Sequence, residues 1–326
     1  MQAAKHVTPR SVLAATVLAV CSTWCGRKES PPETPSRDLS GATLPQPSQA
    51  SLTTEKPATS SEINLAHESF IRDRPRLGAD SLYAGEPRRR EAADARLASL
   101  KVLHNIGYVS GYDEGKHTPA WVAYRLRRQA GVGENSVAAP RDLFHFKTDT
   151  RTASRITDRF YQRSGYDRGH LAPNDAIGVN YGVEAQSETF LMSNIAPQRP
   201  QFNRGVWANL ERIEQNNWAN ARGDVWVITG PVYQEGDSSK IRSQNRAIPI
   251  PSSYFKIYLD EENSRIRVLG MLVPHDTARG SDFGQLVRSI DDIEQVSGLD
   301  FNPALPDSLE ESLEEETPRS VWTVGR

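Results

Sequence analysis

The sequence predicts an α+β domain with a mainly antiparallel central sheet flanked by helices. Strand-length runs rich in aromatic and β-branched residues lie on both sides of a central helical region. Two pairs of these runs are separated by short polar turns, as antiparallel neighbours allow. The order of strands and helices lacks the strict alternation of a parallel βαβ sheet.

The 326 residues are 25% charged and 37% hydrophobic, with a formal net charge of −2. This balance excludes a disordered chain and a multi-pass membrane protein. It gives no global basic signature, so any polyanionic partner would have to meet local positive charge. The only cysteines, Cys21 and Cys25, lie near the amino terminus. The rest of the chain has no disulfide and must rely on its own core, which ~230 residues can supply by burying roughly 70–75% of their unfolded surface.

Residues 1–26 read as an export signal. Lys5, His6 and Arg10 precede the apolar run from Val12 to Val20, which is too short to span a bilayer as an ordinary helix. Leu18-Ala19-Val20 before Cys21 resembles a bacterial lipoprotein processing site, although Val20 is larger than usual there. Secreted, periplasmic and lipid-anchored destinations all remain open. Residues 27–61 are rich in Pro, Ser and Thr and read as a disordered linker. Residues 62–326 form the folded domain, with its core at about 100–306.

Within the domain, Pro87 to Leu97 suggests a short solvated helix. Val102 to Tyr112 reads as one strand, turning at Asp113 to Lys116 into its hairpin partner, Pro119 to Leu126. Phe144 to Asp149 is a further extended piece. His104, His117 and His145 lack neighbours at metal-ligand spacing and read as surface or packing residues. Arg151, Arg155, Arg159 and Arg163 recur every four residues and would share one face of a helix. Such a stripe suits either solvent or a polyanion.

Tyr166-Asp167-Arg168-Gly169-His170-Leu171-Ala172-Pro173 then concentrates chemistry. Arg168 is a fixed cation able to grip a phosphate through two hydrogen bonds. His170 has the near-neutral ordinary pKa that suits a general base. Leu171 to Asp175 turns the chain, and Glu184 to Met192 has a helical pattern that Ser193 to Gln198 breaks. A second helix begins near Asn203 and carries Val206, Trp207, Leu210, Ile213 and Trp218 on an apolar face. Asn203 and Glu211, about two turns apart, could flank a hydrated hard cation. Val225 to Tyr233 reads as a buried central strand. Tyr254 to Asp260 and Arg265 to Pro274 form a hairpin around Glu261 to Ser264. Ser289 to Val296 is a short helix, and the acidic tail from Asp307 to Glu316 is a solvated closing helix.

Asp167-Arg168-Gly169-His170, Ser193-Asn194-Ile195-Ala196-Pro197-Gln198 and the stretch from Phe202 to Glu211 occur in that order at compatible spacing. Together they resemble the DNA/RNA non-specific endonucleases, a family that includes secreted bacterial nucleases and mitochondrial endonuclease G. The resemblance runs from about Asn105 to Leu305 and implies a ββα-metal (His-Me finger) active site. It implies Mg²⁺, Mn²⁺ or another divalent cation bound by Asn203, with Glu211 orienting metal-bound water. His170 would be the general base, Arg168 the phosphate grip, and Asn194 a support for His170 or its loop. Arg141, Arg163 and Arg204 are candidate substrate contacts. Where bacterial members often carry a further arginine, Gln215 stands here, with Arg212 nearby.

The implied activity is hydrolysis of DNA and RNA to 5′-phosphate and 3′-hydroxyl ends, with room for a homodimer. A non-catalytic nucleic-acid binder and a phosphodiesterase for smaller esters are the competing readings. No Gly-x-Ser-x-Gly, His-Glu-x-x-His or P-loop sequence supports other hydrolases.

Overall fold

The computed structural model describes residues 58–73, 81–90, 100–128, 137–234, 236, 239–243, 246–317 and 322. All belong to one compact unit, Glu55–Arg326. The expected export signal, Cys21 and nearly all of the expected linker lie outside the described residues. The linker's end is corrected, because Ser60 and Ser61 already belong to helix α1, Ser60–Asp73.

The principal strands are β1 (Lys101–His104), β2 (Tyr108–Asp113) and β3 (Thr118–Leu126). Strand β4 (Asp167–His170) is followed by helices α2 (Asn174–Tyr181) and α3 (Val183–Glu188), then β5 (Ile195–Gln198). Helix α4 covers 200–222 without a break. Next come β6 (Val225–Val232), β7 (Lys240–Ser243), β8 (Arg246–Pro249), β9 (Ser253–Glu262), β10 (Arg265–Pro274) and β11 (Val287–Arg288). Helices α5 (Ile290–Ser297) and α6 (Asp307–Glu314) close the unit.

Seven strands form one sheet in the order β11-β10-β9-β6-β3-β2-β1. Every neighbouring pair is antiparallel, as the sequence predicts. Alternation divides the side chains between two cores. Val122, Tyr124, Val227, Tyr254 and Tyr258 pack against Phe202, Val206, Trp207, Leu210 and Trp218 of α4. Trp121, Ala123, Ile228, Phe255 and Ile257 face the opposite way, towards Phe70 of α1, Ile293 of α5 and Leu309 and Leu313 of α6. The result is helix on sheet on helix. Leu309, Leu313 and Glu314 are buried, so the acidic tail packs onto the domain rather than standing in solvent.

Several local expectations are corrected. The run from Val102 to Tyr112 is a hairpin because the chain turns at Asn105-Ile106-Gly107, where the Asn105 N–H donates to the Tyr108 carbonyl at 2.9 Å. A Cβ at Gly107 would come within 2.8 Å of Ile177, so that turn has no space for a larger residue. Arg88–Arg89 is a two-residue strand paired with Leu299–Asp300; from Glu91 on, the helix expected over Pro87 to Leu97 lies outside the described residues. The stretch from Phe144 to Asp149 begins extended at Phe144 and pairs through the bridge of Lys147 with Leu191, in agreement with the expected extended piece.

The arginine stripe does not share a helix face. Only Asp158–Tyr161 forms a 3₁₀ turn, and Arg155 and Arg163 have φ of 45° and 58°. The Glu114 carboxylate accepts from the Ala153 and Ser154 N–H groups at 2.7 and 2.9 Å. The Asp149 carboxylate accepts from the Arg151 N–H at 2.9 Å. These side-chain bonds take up backbone donors that a helix would need.

Candidate active site

Strands β4 and β5 pair antiparallel, with His170 opposite Ile195 and Gly169 opposite Ala196. The chain then enters α4, so the two strands and the first turns of the helix form a ββα finger. Gly169 is required by close approach, since a Cβ there would overlap the Gln198 side chain. Ile195 seals the finger's back against Ile156, Phe160, Tyr161, Ile241 and Ile248.

His170 is 7% exposed. Its ring lies 5.1 Å from the Phe190 ring and 5.5 Å from the Phe146 ring. Burial, followed by the nearby Arg141 charge, lowers its pKa to about 3. Its Nε2 is buried without a hydrogen-bond partner among the described residues. The imidazole is therefore neutral near pH 7 and has an open nitrogen.

Two tethers fix the backbone around it. Trp207 Nε1 donates to the His170 carbonyl at 3.2 Å. Asn194, fully buried, accepts from the Ala172 N–H at 2.9 Å and donates to the Ala172 carbonyl at 3.0 Å. Asn194 thus holds the segment after His170 through the Ala172 backbone, and its amide also donates to the Thr189 carbonyl at 3.0 Å.

Asp167 joins strand to helix. Its carboxylate accepts from Asn203 Nδ2 at 3.0 Å and takes two hydrogen bonds from Arg204, both at 2.8 Å. Burial opposes its charge, but hydrogen bonds from Arg204 and Asn203 outweigh that and hold its pKa below the usual value. Because Nδ2 is fixed, the orientation of the Asn203 amide is fixed. Its Oδ1 has no donor among the described residues. Asn203 lies inside α4, at the start of a π turn over Asn203–Trp207, rather than capping the helix.

A cleft of ≈ 560 Å³ is lined by Arg141, His170, Asn203, Arg204, Glu211 and Arg212, among others. The Glu211 carboxyl group has neither a hydrogen bond nor an ion pair among the described residues. Burial raises its pKa to about 8; Lys256 opposes this, while Glu214 and Asp175 add to it. A fixed amide oxygen and a carboxyl group with no ion-pair partner, in one cleft, match the donor chemistry of a hard divalent cation.

Arg168 is placed beside His170 but is turned aside. Its guanidinium carbon lies 5.2 Å from the Phe146 ring centre. Its Nη2 donates to the Asp158 carbonyl at 3.2 Å and approaches the Asp158 carboxylate at 3.4 Å. Arg168 and Arg163 do not line the cleft, whereas Arg141 and Arg204 do. Gln215 also reaches the cleft and accepts from Asn180 Nδ2 at 2.8 Å.

Sequence reasoning missed Asn174 and Asp175, which line the cleft from the first turn of α2; Pro173 before them was the available helix-start signal. It also missed Lys256 beneath the cleft. Lys256 and Glu214 are both fully buried, with Nζ 2.6 Å from the Glu214 carboxylate. Tyr124 and Tyr258 donate to the same carboxylate at 2.8 and 2.7 Å. The period-2 spacing of Tyr254, Lys256 and Tyr258 could have placed the lysine on the aromatic face.

The antiparallel sheet with its helices and the strand-strand-helix finger define a ββα-metal nuclease fold. A family model described as DNA/RNA non-specific endonuclease matches residues 95–308. The mitochondrial nuclease EXOG of Mus musculus is 30% identical over 223 residues, covering 64% of this chain and 59% of that protein. A nuclease of Serratia marcescens is 34% identical over 195 residues, covering 59% of this chain and 71% of the relative. The solved EndoG/EndoGI complex contains a chain that aligns with TM-score 0.55 and 25% identity, over 66% of this chain and 95% of that one. The chain belongs to the DNA/RNA non-specific endonuclease family.

Proposed function

We propose that this chain is a divalent-metal-dependent endonuclease that hydrolyses phosphodiester bonds in DNA and RNA. The observation that carries this reading is the buried, partner-free Nε2 of His170 in one cleft with Asn203 and Glu211. A non-catalytic binder has no need of such an open base.

In this reading Asn203 holds the cation with Glu211 nearby, and Mg²⁺ is the first choice. The bound cation would neutralise charge on the phosphate and on the departing oxygen. Arg141 and Arg204 attract the backbone phosphate, and Arg168 needs only to leave Asp158 to join them. His170 Nε2 accepts a proton from water as the water oxygen bonds to phosphorus. The bond from phosphorus to the 3′ oxygen breaks, and that oxygen takes a proton from solvent, leaving 5′-phosphate and 3′-hydroxyl ends. A phosphate anion beside Arg141 offsets the charge that suppresses His170 basicity. Contacts confined to phosphates give little sequence preference.

Digestion of plasmid DNA and of RNA by the purified protein, with Mg²⁺ or with EDTA, tests the proposal. His170→Ala is expected to lose about 10²–10⁴-fold in rate, and Asn203→Ala to lose nearly all metal-dependent cleavage, with both variants folded. Full cleavage by His170→Ala would sink the mechanism; nucleic-acid binding without cleavage by the wild type would sink the enzyme.

The same reading takes residues 1–26 as an export signal and the stretch from 27 to the start of α1 at Ser60 as a linker ahead of the nuclease domain. Mass spectrometry of the mature protein checks this. A chain processed near residue 26 or carrying lipid on Cys21 supports export, and an intact Met1 form confined to the cytoplasm refutes it.

A further inference from the structure

On the sheet face away from the cleft, α5 and α6 gather carboxylates that phosphodiester hydrolysis does not use. Asp291 and Glu294 come from α5, and Glu314 is the last residue of α6. One carboxylate oxygen from each lies within 4.8 Å of the other two. Asp291 is exposed, while Glu294 and Glu314 are 2% and 8% exposed. Glu294 has partners: Arg90 Nη1 at 3.0 Å and the Phe301 N–H at 2.7 Å. Glu314 does not. Its Oε1 is buried with no hydrogen-bond partner among the described residues.

A buried carboxylate without a donor, beside two others, costs free energy unless a positive charge joins it. Arg90 supplies one cation at the edge of the group, and Asp300 and Glu310 add to the negative potential around Glu314. We propose that Asp291, Glu294 and Glu314 form a second cation site, suited to a calcium-class ion, which ties α6 to α5.

Coordination geometry decides between ions. Three oxygens within 4.8 Å of one another leave room for one cation between them. Calcium takes oxygen ligands at about 2.3–2.6 Å in flexible geometry, which carboxylates from two helices can meet; magnesium needs about 2.0–2.1 Å and near-octahedral order. The exposed Asp291 side leaves room for water to complete the coordination shell.

Thermal unfolding of the full chain in chelator, calcium or magnesium tests the site, comparing wild type, Asn203→Ala and Glu314→Gln. Calcium in about tenfold excess over its Kd should raise the wild-type Tm by on the order of 3 °C. Asn203→Ala should keep that rise, which separates it from the cleft, and magnesium should give less. Glu314→Gln should lose the calcium rise while cleaving nucleic acid at the wild-type rate. If Glu314→Gln does not fold, the exposed Asp291→Asn carries the same comparison, with calcium binding measured by equilibrium dialysis. An equal calcium rise in wild type and variant would overturn the proposal. So would a wild type that calcium leaves unchanged and lower pH stabilises, which would put a proton where the cation is proposed.

Discussion

At the scale of single residues, the cleft holds two groups whose pKa values burial moves in opposite directions, each towards its neutral form. Burial lowers His170 to about 3, and burial raises Glu211 to about 8. For Glu211 the folded state binds the proton more tightly than the unfolded state. Its contribution to stability is complete below its ordinary pKa of about 4.5 and is lost as pH rises through about 8. Glu211→Gln should therefore raise the metal-free unfolding midpoint above pH 8, have little effect below pH 5, and reduce cleavage. Denaturant titrations at the two pH values check this; equal midpoints for wild type and variant at both would show that the carboxylate is not displaced. The same physical difference explains what could be read in advance. His170 and Asn203 were legible because their chemistry is unusual for their positions. Asn174 was not, because an asparagine after proline is ordinary loop punctuation. Arg168 stood out as a cation, but its turn towards Asp158 depends on the third dimension.

Among the elements, α4 matters most. Two π turns, Asn203–Trp207 and Glu214–Trp218, interrupt its regular winding. Trp207 is thereby fully buried with its indole N–H on the His170 carbonyl, while Asn203, Ala208 and Glu211 line the cleft. A regular four-residue spacing anticipates Asn203 and Glu211 on one side, but it does not reveal the extra residue in each wide turn. The second π turn carries Glu214 to Lys256, whose Nζ lies 4.5 Å from the Trp207 ring centre. Removing one member of a buried ion pair leaves the other charge unmatched, at about 3–5 kcal/mol. Lys256→Met should cost about that much in unfolding free energy, and adding Glu214→Leu should recover part of it. A single variant of wild-type stability would show that the pair does not stabilise the helix on the sheet.

Across the whole molecule, the sheet was the most legible part. Long apolar runs such as Val225 to Val232 are buried throughout, and the Asn263-Ser264 turn, with φ of 52° and 60°, is the left-handed geometry that joins twisted hairpin strands. The finger strands were less legible because four residues each carry too little periodicity. Their pairing is long-range, joining strands that α2 and α3 separate in the chain. Strand β3 pairs directly with β6, Leu126 opposite Val225, although β4, β5 and α4 all lie between them in the chain. The cleft-bearing finger is thus an excursion that leaves the sheet and returns to it at one place. Units of this kind can open below the threshold of global unfolding. Amides of Asp167–His170 should exchange with deuterium faster than those of Val225–Val232, and equal rates would mean that finger and sheet open only together. A segment whose two ends are already held one strand spacing apart is also a natural cassette: another excursion could be spliced between Leu126 and Val225, provided it brings an apolar helix to cover the sheet face that α4 covers.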